Sequence, residues 1–286
     1  MPFIPQNFAM VKKYWSICNE ENDIEEKIVI LEKSIRHGVY IPNFILLGKY
    51  YSILGKIHQI NSKYSISQRE KNYAEDIFKD VSSIIKKNND IYSINKNDSI
   101  YRHEIHNHNL YYEWGEHYRR WEEFNNAKDK LEIAINEIDQ YGRYVNETDK
   151  KIKITCKIFI AMCYTELNSF DDAREIFNYI EMNENPNHPY LLTGLGEYYM
   201  RLPISENNEN INQAEKYFKK AISIQPNNYY PYWCLSKLYI QKNDYKKTKD
   251  CLDRAHQKVV TSDNALNRIR IENDINSLAQ FSAGQL

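Results

Sequence analysis

One order of apolar and small residues recurs along this chain, and it restricts the fold more than any other feature. In "NLYYEWGEHYRRWEEFNNAKDKLEIAI", the first such group is Tyr111, Trp114, Gly115 and Tyr118. Its spacing of i, i+3, i+4, i+7 lines one face of a helix. A second group follows the polar turn "RRWEEFNN" and consists of Phe124, Ala127, Leu131 and Ala134. The stretch therefore predicts two antiparallel helices joined by a short turn.

The same order returns both downstream and upstream of this hairpin, with a period near 34 residues. Its copies contain Ile160, Ala161, Tyr164, Phe170, Ala173 and Phe177; Leu192, Leu195, Gly196, Tyr199, Ala214, Phe218, Ala221 and Pro226; Tyr232, Leu235, Tyr239, Tyr245, Leu252 and Ala255; and Phe44, Leu47, Gly48, Tyr51, Ala74, Phe78 and Val81. A first, degenerate copy is predicted at about residues 8–40, where Trp15 takes a position that is small elsewhere. The chain is predicted to be an array of helical hairpins.

This array resembles the tetratricopeptide-repeat family, whose pattern is W-x2-L-G-x2-Y…A-x3-F…P. The resemblance covers most of residues 41–262 and depends on the agreement of several copies in order and offset. It implies an all-α fold, a right-handed α-solenoid of helical hairpins. We predict a superhelix of about five or six repeats over residues 1–262, and a capping helix with tail over residues 263–286.

The small residues of the pattern have a physical role. Gly115 and Gly196 should let the two helices of a hairpin approach closely, and Ala127, Ala173 and Ala214 should do the same from the second helix. Aromatic side chains should fill the space between neighbouring hairpins. Pro226 should begin a new unit because proline cannot continue the preceding helix.

Four polar stretches depart from the regular spacing and are predicted as insertions. They lie near residues 52–72, 86–99, 140–153 and 202–212. The first is interpreted as extended helix plus loop, and the second as a linker. After them, Ser262 or Asp263 is a candidate N-cap of the C-terminal helix, with Leu266, Ile269, Ile275 and Leu278 as its apolar residues.

Composition excludes several classes of protein. The net charge is −1 with 27% charged residues, which argues against bulk electrostatic capture of nucleic acid or anionic membrane. The five cysteines are scattered and none forms a CxxC pair, so a disulfide framework or zinc ribbon is not indicated. No stretch approaches the roughly 18 apolar residues of a membrane span. The first residues show neither a long apolar core nor a small-residue cleavage site, so secretion is not expected. We expect a soluble, cytoplasmic protein with reduced thiols.

Histidines cluster at the start of the central hairpin, and a metal site is the alternative to an ordinary helix there. The candidates are His103, Glu104, His106, His108 and His117. His106 and His117 would lie roughly 16 Å apart along one helix, so they cannot share a metal. "HEIHNH" also lacks the HExxH spacing of zinc proteases. We predict no metal and no cofactor, and keep Glu113 with His117 as the pair to examine.

Other catalytic patterns are missing as well. The sequence contains no phosphate-binding P-loop and no glycine-rich dinucleotide turn. The S-x-x-K spacing of Ser83 and Lys86 is common by chance and is interpreted as a surface helix. We therefore predict that the protein is not an enzyme.

The family resemblance implies a ligand face, because in such arrays the first helix of each hairpin lines a concave groove. The predicted groove residues are Asn109, Tyr112, Glu113, Glu116 and Arg119 in one repeat, Tyr190, Thr193 and Glu197 in another, and Tyr230, Trp233 and Lys237 in the last. The alternative for each is packing against the next repeat. A clamp for a terminal carboxylate is not expected, because only Lys12 fits its basic pattern.

Aromatic residues mixed with charges are typical of peptide-binding surfaces. The sequence thus favours a non-enzymatic adaptor or scaffold that binds a peptide or partner protein. Two alternatives stay open: a regulatory or sensory subunit of a separately encoded enzyme, and a helical-repeat RNA-binding protein. The glutamates at the predicted groove oppose RNA.

Overall fold

The protein is built from helices packed as hairpins. The computed structural model describes residues 13–14, 16–18, 20–21, 23–36, 41–92, 107–140, 145–203, 209–259 and 265–283, with backbone only for 87–92 and 281–283. Every secondary-structure element within these ranges is a helix, which confirms the all-α prediction. The chain divides into two compact units, Met1–Val145 and Asn146–Leu286.

Within the described residues of the first unit, two helical hairpins follow a further helix, and the residues described between 13 and 20 are also helical. Its helices are α1 (Ile24–Ile35), α2 (Ile41–Ile60), α3 (Tyr64–Tyr92), α4 (Asn107–Arg120) and α5 (Phe124–Gln140). Helices α2 and α3 form one hairpin and α4 and α5 the next, and the two first helices, α2 and α4, contact each other. Asp23 caps α1 by accepting a hydrogen bond from the backbone N–H of Glu26.

The second unit contains three hairpins and a terminal helix. Its helices are α6 (Glu147–Glu166), α7 (Phe170–Asn183), α8 (Pro189–Arg201), α9 (Glu209–Ile224), α10 (Tyr229–Gln241), α11 (Tyr245–Lys258) and α12 (Ala265–Ala283). The hairpins pair α6 with α7, α8 with α9, and α10 with α11, while α12 packs on α11. The first helices α6, α8 and α10 contact one another in succession. Asn146 and Asp149 form a capping box that fixes the start of α6.

Glycine makes the close approach of the paired helices possible. A Cβ atom added at Gly115 would lie 2.7 Å from Leu131 Cγ, and one added at Gly48 would lie 2.7 Å from the Phe78 ring. At Gly196 the corresponding contact is with the Phe218 ring. Distances this short leave no space for a side chain, so the predicted role of these glycines is confirmed.

Four hairpins close with the same turn. Ser62, Glu122, Asn168 and Asn243 each have a positive φ of 55° to 63° directly after a first helix. In each case the next residue donates its backbone N–H to the carbonyl five positions back. Three of these acceptors are the tyrosines of the repeat pattern, Tyr118, Tyr164 and Tyr239. This is the left-handed C-terminal turn that satisfies the last helical carbonyls.

The four predicted insertions are partly helical. Helix α2 continues to Ile60 and α3 begins at Tyr64, so a three-residue turn interrupts the 52–72 segment. The end of α3 extends into 86–99, the start of α6 lies inside 140–153, and α9 begins inside 202–212. The rest of these segments includes residues outside the described ranges.

The C-terminal helix α12 follows the last hairpin and packs on α11. Its buried residue Ile271 joins Leu252, Ala255 and Val259 of the α11 region in one apolar cluster. Its two candidate N-caps, Ser262 and Asp263, lie outside the described residues. No helix in the described part of the chain has the length and apolar character needed to cross a membrane.

Candidate ligand face of the first helices

In the second unit, aromatic and acidic side chains follow one another across the first helices. We call the set Phe159, Tyr190, Glu197, Tyr230, Trp233 and Lys237 the first-helix face. Tyr190 of α8 lies 5.8 Å, between ring centroids, from Phe159 of α6. Tyr190 is 45% exposed, so it offers a large aromatic surface to solvent.

Glu197 holds the centre of this face together. The Tyr230 hydroxyl donates to Glu197 Oε1 at 2.8 Å, and Cys234 Sγ lies 3.6 Å from the same oxygen. Burial and the neighbouring Glu197 carboxylate raise the pKa of the Cys234 thiol well above its usual value. The thiol therefore stays protonated and acts as a weak hydrogen-bond donor, and it is not a nucleophile.

Trp233 lies with its ring under the Lys237 side chain. Its ring is 5.9 Å from that of Tyr230, in edge-to-face geometry, and Lys237 Nζ lies 3.8 Å from its centroid. The indole Nε1–H donates to Asp274 Oδ2 at 2.7 Å. The side chain is only 6% exposed, because α11, α12 and the Lys237 chain cover it.

Helix α12 also contacts α10 through a second hydrogen bond. Asn267 Nδ2 donates to the Tyr229 hydroxyl at 2.6 Å. Burial raises the pKa of Tyr229 far above its usual value, so the hydroxyl stays neutral. Sequence reasoning missed Asn267 and Asp274; their only signal is a spacing of seven residues, which puts both on the same side of one helix.

The predicted groove residues of α4 belong to the first unit and are largely paired with each other or with α2. Glu113 Oε1 lies 3.6 Å from Lys49 Nζ, and Glu116 Oε1 accepts from Arg119 Nε at 2.6 Å. Asn109 and Tyr112 are half-buried on the same helix. Glu113, Glu116 and Arg119 are therefore all in ion pairs.

Two predicted groove residues of the second unit are buried. Thr193 donates its hydroxyl to the Pro189 carbonyl at 2.8 Å, as a helix-internal bond. Trp233 packs into the apolar cluster of α11 and α12. The predicted residues with accessible side chains here are Tyr190 and Lys237, with Glu197 and Tyr230 partly accessible between them.

The histidine cluster is only partly visible, since His103, Glu104 and His106 lie outside the described residues. His117 is fully buried, and its Nδ1 lies 2.9 Å from Ser52 Oγ, which also accepts from Arg120 Nη1 at 2.7 Å. Burial, with the positive charges of Arg120 and Lys71, lowers the pKa of His117 to about 3. His117 is therefore a neutral core residue, and its earlier partner candidate Glu113 is ion-paired with Lys49.

The cysteines and carboxylates of the described ranges are the remaining candidate metal ligands. There, no group of three or more His, Cys, Asp or Glu side chains is arranged to hold a metal ion. All five cysteines are buried and none is in a disulfide.

Comparison with a family model identifies one repeat directly. Residues 198–228 match the model described as tetratricopeptide repeat. This segment runs from the end of α8 through α9 to the Asn228 cap of α10. No curated protein matches the chain.

Solved structures with similar folds are helical-repeat proteins at low sequence identity. NprR, solved in complex with its cognate peptide NprX, superposes with a TM-score of 0.58 at 14% identity, over 98% of this chain and 78% of that one. Yeast Tom70 has a TM-score of 0.45 at 15% identity, over 96% of this chain and 48% of that one. BtubC from P. vanneervenii has 0.42 at 15%, over 93% and 92%. Of these three, NprR has a TM-score above 0.5, and at 14% identity this likeness shows the fold alone.

Proposed function

The chain is a tetratricopeptide-repeat protein, and on that premise we propose that it is a non-enzymatic interaction scaffold that binds a peptide or partner protein on its first helices. The binding surface is the first-helix face of the second unit, which the family resemblance predicts to be concave. We place this activity in the cytoplasm, as the sequence composition predicts.

The observation that carries this proposal is an exposed aromatic ring, Tyr190, about two turns before the hydrogen-bonded carboxylate of Glu197 on α8. An exposed aromatic side chain supplies contact area at little conformational cost, and a carboxylate held by Tyr230 and Cys234 supplies orientation. The NprR fold, which was solved with a bound peptide, supports a peptide ligand for this architecture.

A scaffold fits this face better than a catalyst does. Glu197 has a neighbouring thiol and phenol, but both act as donors to it, and the Cys234 thiol is buried with a raised pKa. General acid–base or nucleophilic work needs a group that can change its protonation state near neutral pH. The buried Cys234 thiol, with its raised pKa, does not meet this requirement.

RNA binding is the less favoured alternative. A groove that follows a phosphate backbone needs uncompensated Lys and Arg side chains. Here Glu197 and Asp274 lie beside the aromatic rings that would stack on bases, and they would repel phosphates. A regulatory subunit of another enzyme would use the same face in the same way.

Quantitative pull-down from the native cells, with one exposed tyrosine changed at a time, tests the proposal. Tyr190→Ala removes the ring on the first-helix face, whereas Tyr179→Ala removes a comparably exposed ring, at 49%, from the second helix α7. We expect Tyr190→Ala to reduce recovery of a specific partner at least about tenfold, as a binding hot spot does, and Tyr179→Ala to leave it unchanged. The reverse pattern would assign binding to the opposite side of the hairpins.

A further inference from the structure

We propose that Trp233, Glu197 and Asp274 form a receptor for a cationic side chain, an arginine or lysine of the bound peptide, and that Lys237 occupies it in the ligand-free protein. The inference deepens the proposed function and rests on it, because the cation is assigned to the same peptide ligand. It adds that the peptide side chain bound at this face carries a positive charge.

The first observation is the position of the Lys237 ammonium. It lies 3.8 Å from the centroid of the Trp233 ring, and within the described ranges no carboxylate oxygen comes within the 4.0 Å of an ion pair. Trp233 and Lys237 lie four residues apart on α10, so helix geometry brings the side chains together, and the cation–π attraction stabilises the contact. The Trp233 ring therefore already holds a cation, one supplied by the chain itself.

The second observation is unused acceptor capacity on two carboxylates: Asp274, bonded to the Trp233 indole, and Glu197, bonded to Tyr230, whose ring lies 5.9 Å from that of Trp233. Asp274 accepts the indole N–H through Oδ2, and Glu197 accepts from Tyr230 and Cys234 through Oε1. The other oxygen of each carboxylate has no hydrogen-bond partner among the described residues. A guanidinium offers five N–H donors in one plane, so it can stack on an indole and donate to carboxylates at its edge.

The third observation is that Lys237 can leave. Its side chain is exposed on α10, where the ammonium contacts the Trp233 ring and its charge acts on the Cys234 thiol. Displacement would return the ammonium to water without breaking an ion pair. The competing cation would gain ring contact, and arginine should gain more than lysine because guanidinium is planar and less strongly hydrated.

The charges around the site agree with a cationic ligand. Glu197 and Asp274 contribute two negative charges, and Lys237 moves away on binding. Arg270, one turn before Asp274, contributes one positive charge near the Tyr229 hydroxyl, so these three residues together have a net charge of −1. A terminal carboxylate of a peptide would be repelled here, so the selectivity differs from that of a carboxylate clamp.

The indole N–H signal of Trp233 in a ¹⁵N-labelled full-length chain provides the readout, with Trp233→Phe used to assign it. The probes are acetyl-tetra-arginine amide and acetyl-tetra-citrulline amide, which have the same shape but differ in charge. We expect saturable movement of the Trp233 signal with the arginine peptide only. Equal movement with citrulline, or none with either, would overturn the inference.

Three further variants test which residues hold the cation. Lys237→Met removes the internal cation and should tighten arginine-peptide binding about tenfold; Lys246→Met, an exposed lysine of α11, makes the same change in net charge and should have no effect. Glu197→Gln should weaken binding by roughly fivefold without disturbing α12. If Lys237→Met and Lys246→Met behave alike, Lys237 does not occupy the receptor and the inference is wrong.

The experiments distinguish failure of this inference from failure of the proposed function. A partner that depends on Tyr190 but ignores the arginine probe would keep the scaffold and remove the cation receptor. Arginine-peptide binding measured by calorimetry with a static Trp233 signal would place the cation elsewhere and also remove it.

Discussion

Trp233 donates its indole N–H to Asp274 across 41 residues of sequence, at 2.7 Å. Together with the Asn267–Tyr229 bond, this contact ties α12 to the first helix of the last hairpin. The terminal helix therefore does more than shield the last hairpin from solvent, because Asn267 and Asp274 on its polar side bind side chains of α10.

Breaking this contact should loosen α12. Asp274→Ala leaves a buried indole N–H without its acceptor, which typically costs about 1–3 kcal/mol. We expect lower stability in urea and faster amide hydrogen exchange across Ala265–Ala283. Glu272→Ala is the control, since Glu272 lies on the same helix but pairs with exposed His256 and Arg268; it should change stability by less than about 0.5 kcal/mol. Equal exchange in both variants would contradict the anchoring role.

The contact between Gly115 and Leu131 should leave no room for a methyl group. Although alanine favours a helix over glycine, Gly115→Ala places a Cβ 2.7 Å from Leu131 Cγ and should destabilise the protein by roughly 1–3 kcal/mol. In a Leu131→Ala background the obstructing atoms are gone, and the same change should be neutral or stabilising. A double-mutant cycle by chemical denaturation measures this coupling. Additive effects would show that the two residues do not limit the helix spacing.

Replacing Ser62 by glycine should stabilise the protein. The Ser62 φ of 60° is unfavourable for a residue with a Cβ, so Ser62→Gly should raise the free energy of unfolding by about 0.5–1 kcal/mol. Ser65→Gly, in the first turn of α3, should lower it by roughly 0.5 kcal/mol, because glycine is a poor helix former. Thermal denaturation of both variants provides the measurement. Similar losses in both would mean that the turn carries no strain.

Buried His117 should make the protein acid-sensitive. Its pKa falls from the usual 6.5 to about 3 in the folded state, so the unfolded chain binds the extra proton between these values. The stability that neutral His117 provides is fully present above pH 6.5 and is lost as the pH falls toward 3. Between pH 7 and pH 5 the loss should be about 2 kcal/mol.

Urea unfolding at both pH values, with matched variants, isolates this contribution. His117→Asn can retain the Ser52 hydrogen bond and should lose that part of the pH dependence, although it packs less well. His256→Asn removes an exposed histidine of α11 and should keep the wild-type dependence. An unchanged pH response in His117→Asn would mean that His117 is not neutral in the folded protein.

The hairpins could be predicted from sequence because their requirement is local and steric. Gly115 and Leu131 lie 16 positions apart in one hairpin, and the same small and large residues recur at the same offsets. His117 was harder to assign, because a polar residue three positions after Trp114 can face either solvent or core. The neighbouring Ser52, which fixes its hydrogen bond, lies 65 residues away.

The contribution of α12 could not be predicted for a related reason. Asn267 and Asp274 are polar residues on a helix with an apolar stripe, which usually means a solvated side. Their partners, Tyr229 and Trp233, lie 38 and 41 residues earlier and are known only once the helices are packed. The role of Tyr190, Glu197, Tyr230 and Lys237 in ligand binding stays a prediction.

Site-specific photocrosslinking tests the ligand face most directly. A benzoylphenylalanine replaces Tyr190 on α8 in one sample and the comparably exposed Tyr179 on α7 in the other, and crosslinked partners from the native cells are identified by mass spectrometry. A scaffold that binds on its first helices should give one dominant adduct from position 190 that excess unlabelled protein competes away, and none from 179. A competed adduct that forms from position 179 alone would contradict the assignment of the ligand to the first-helix face.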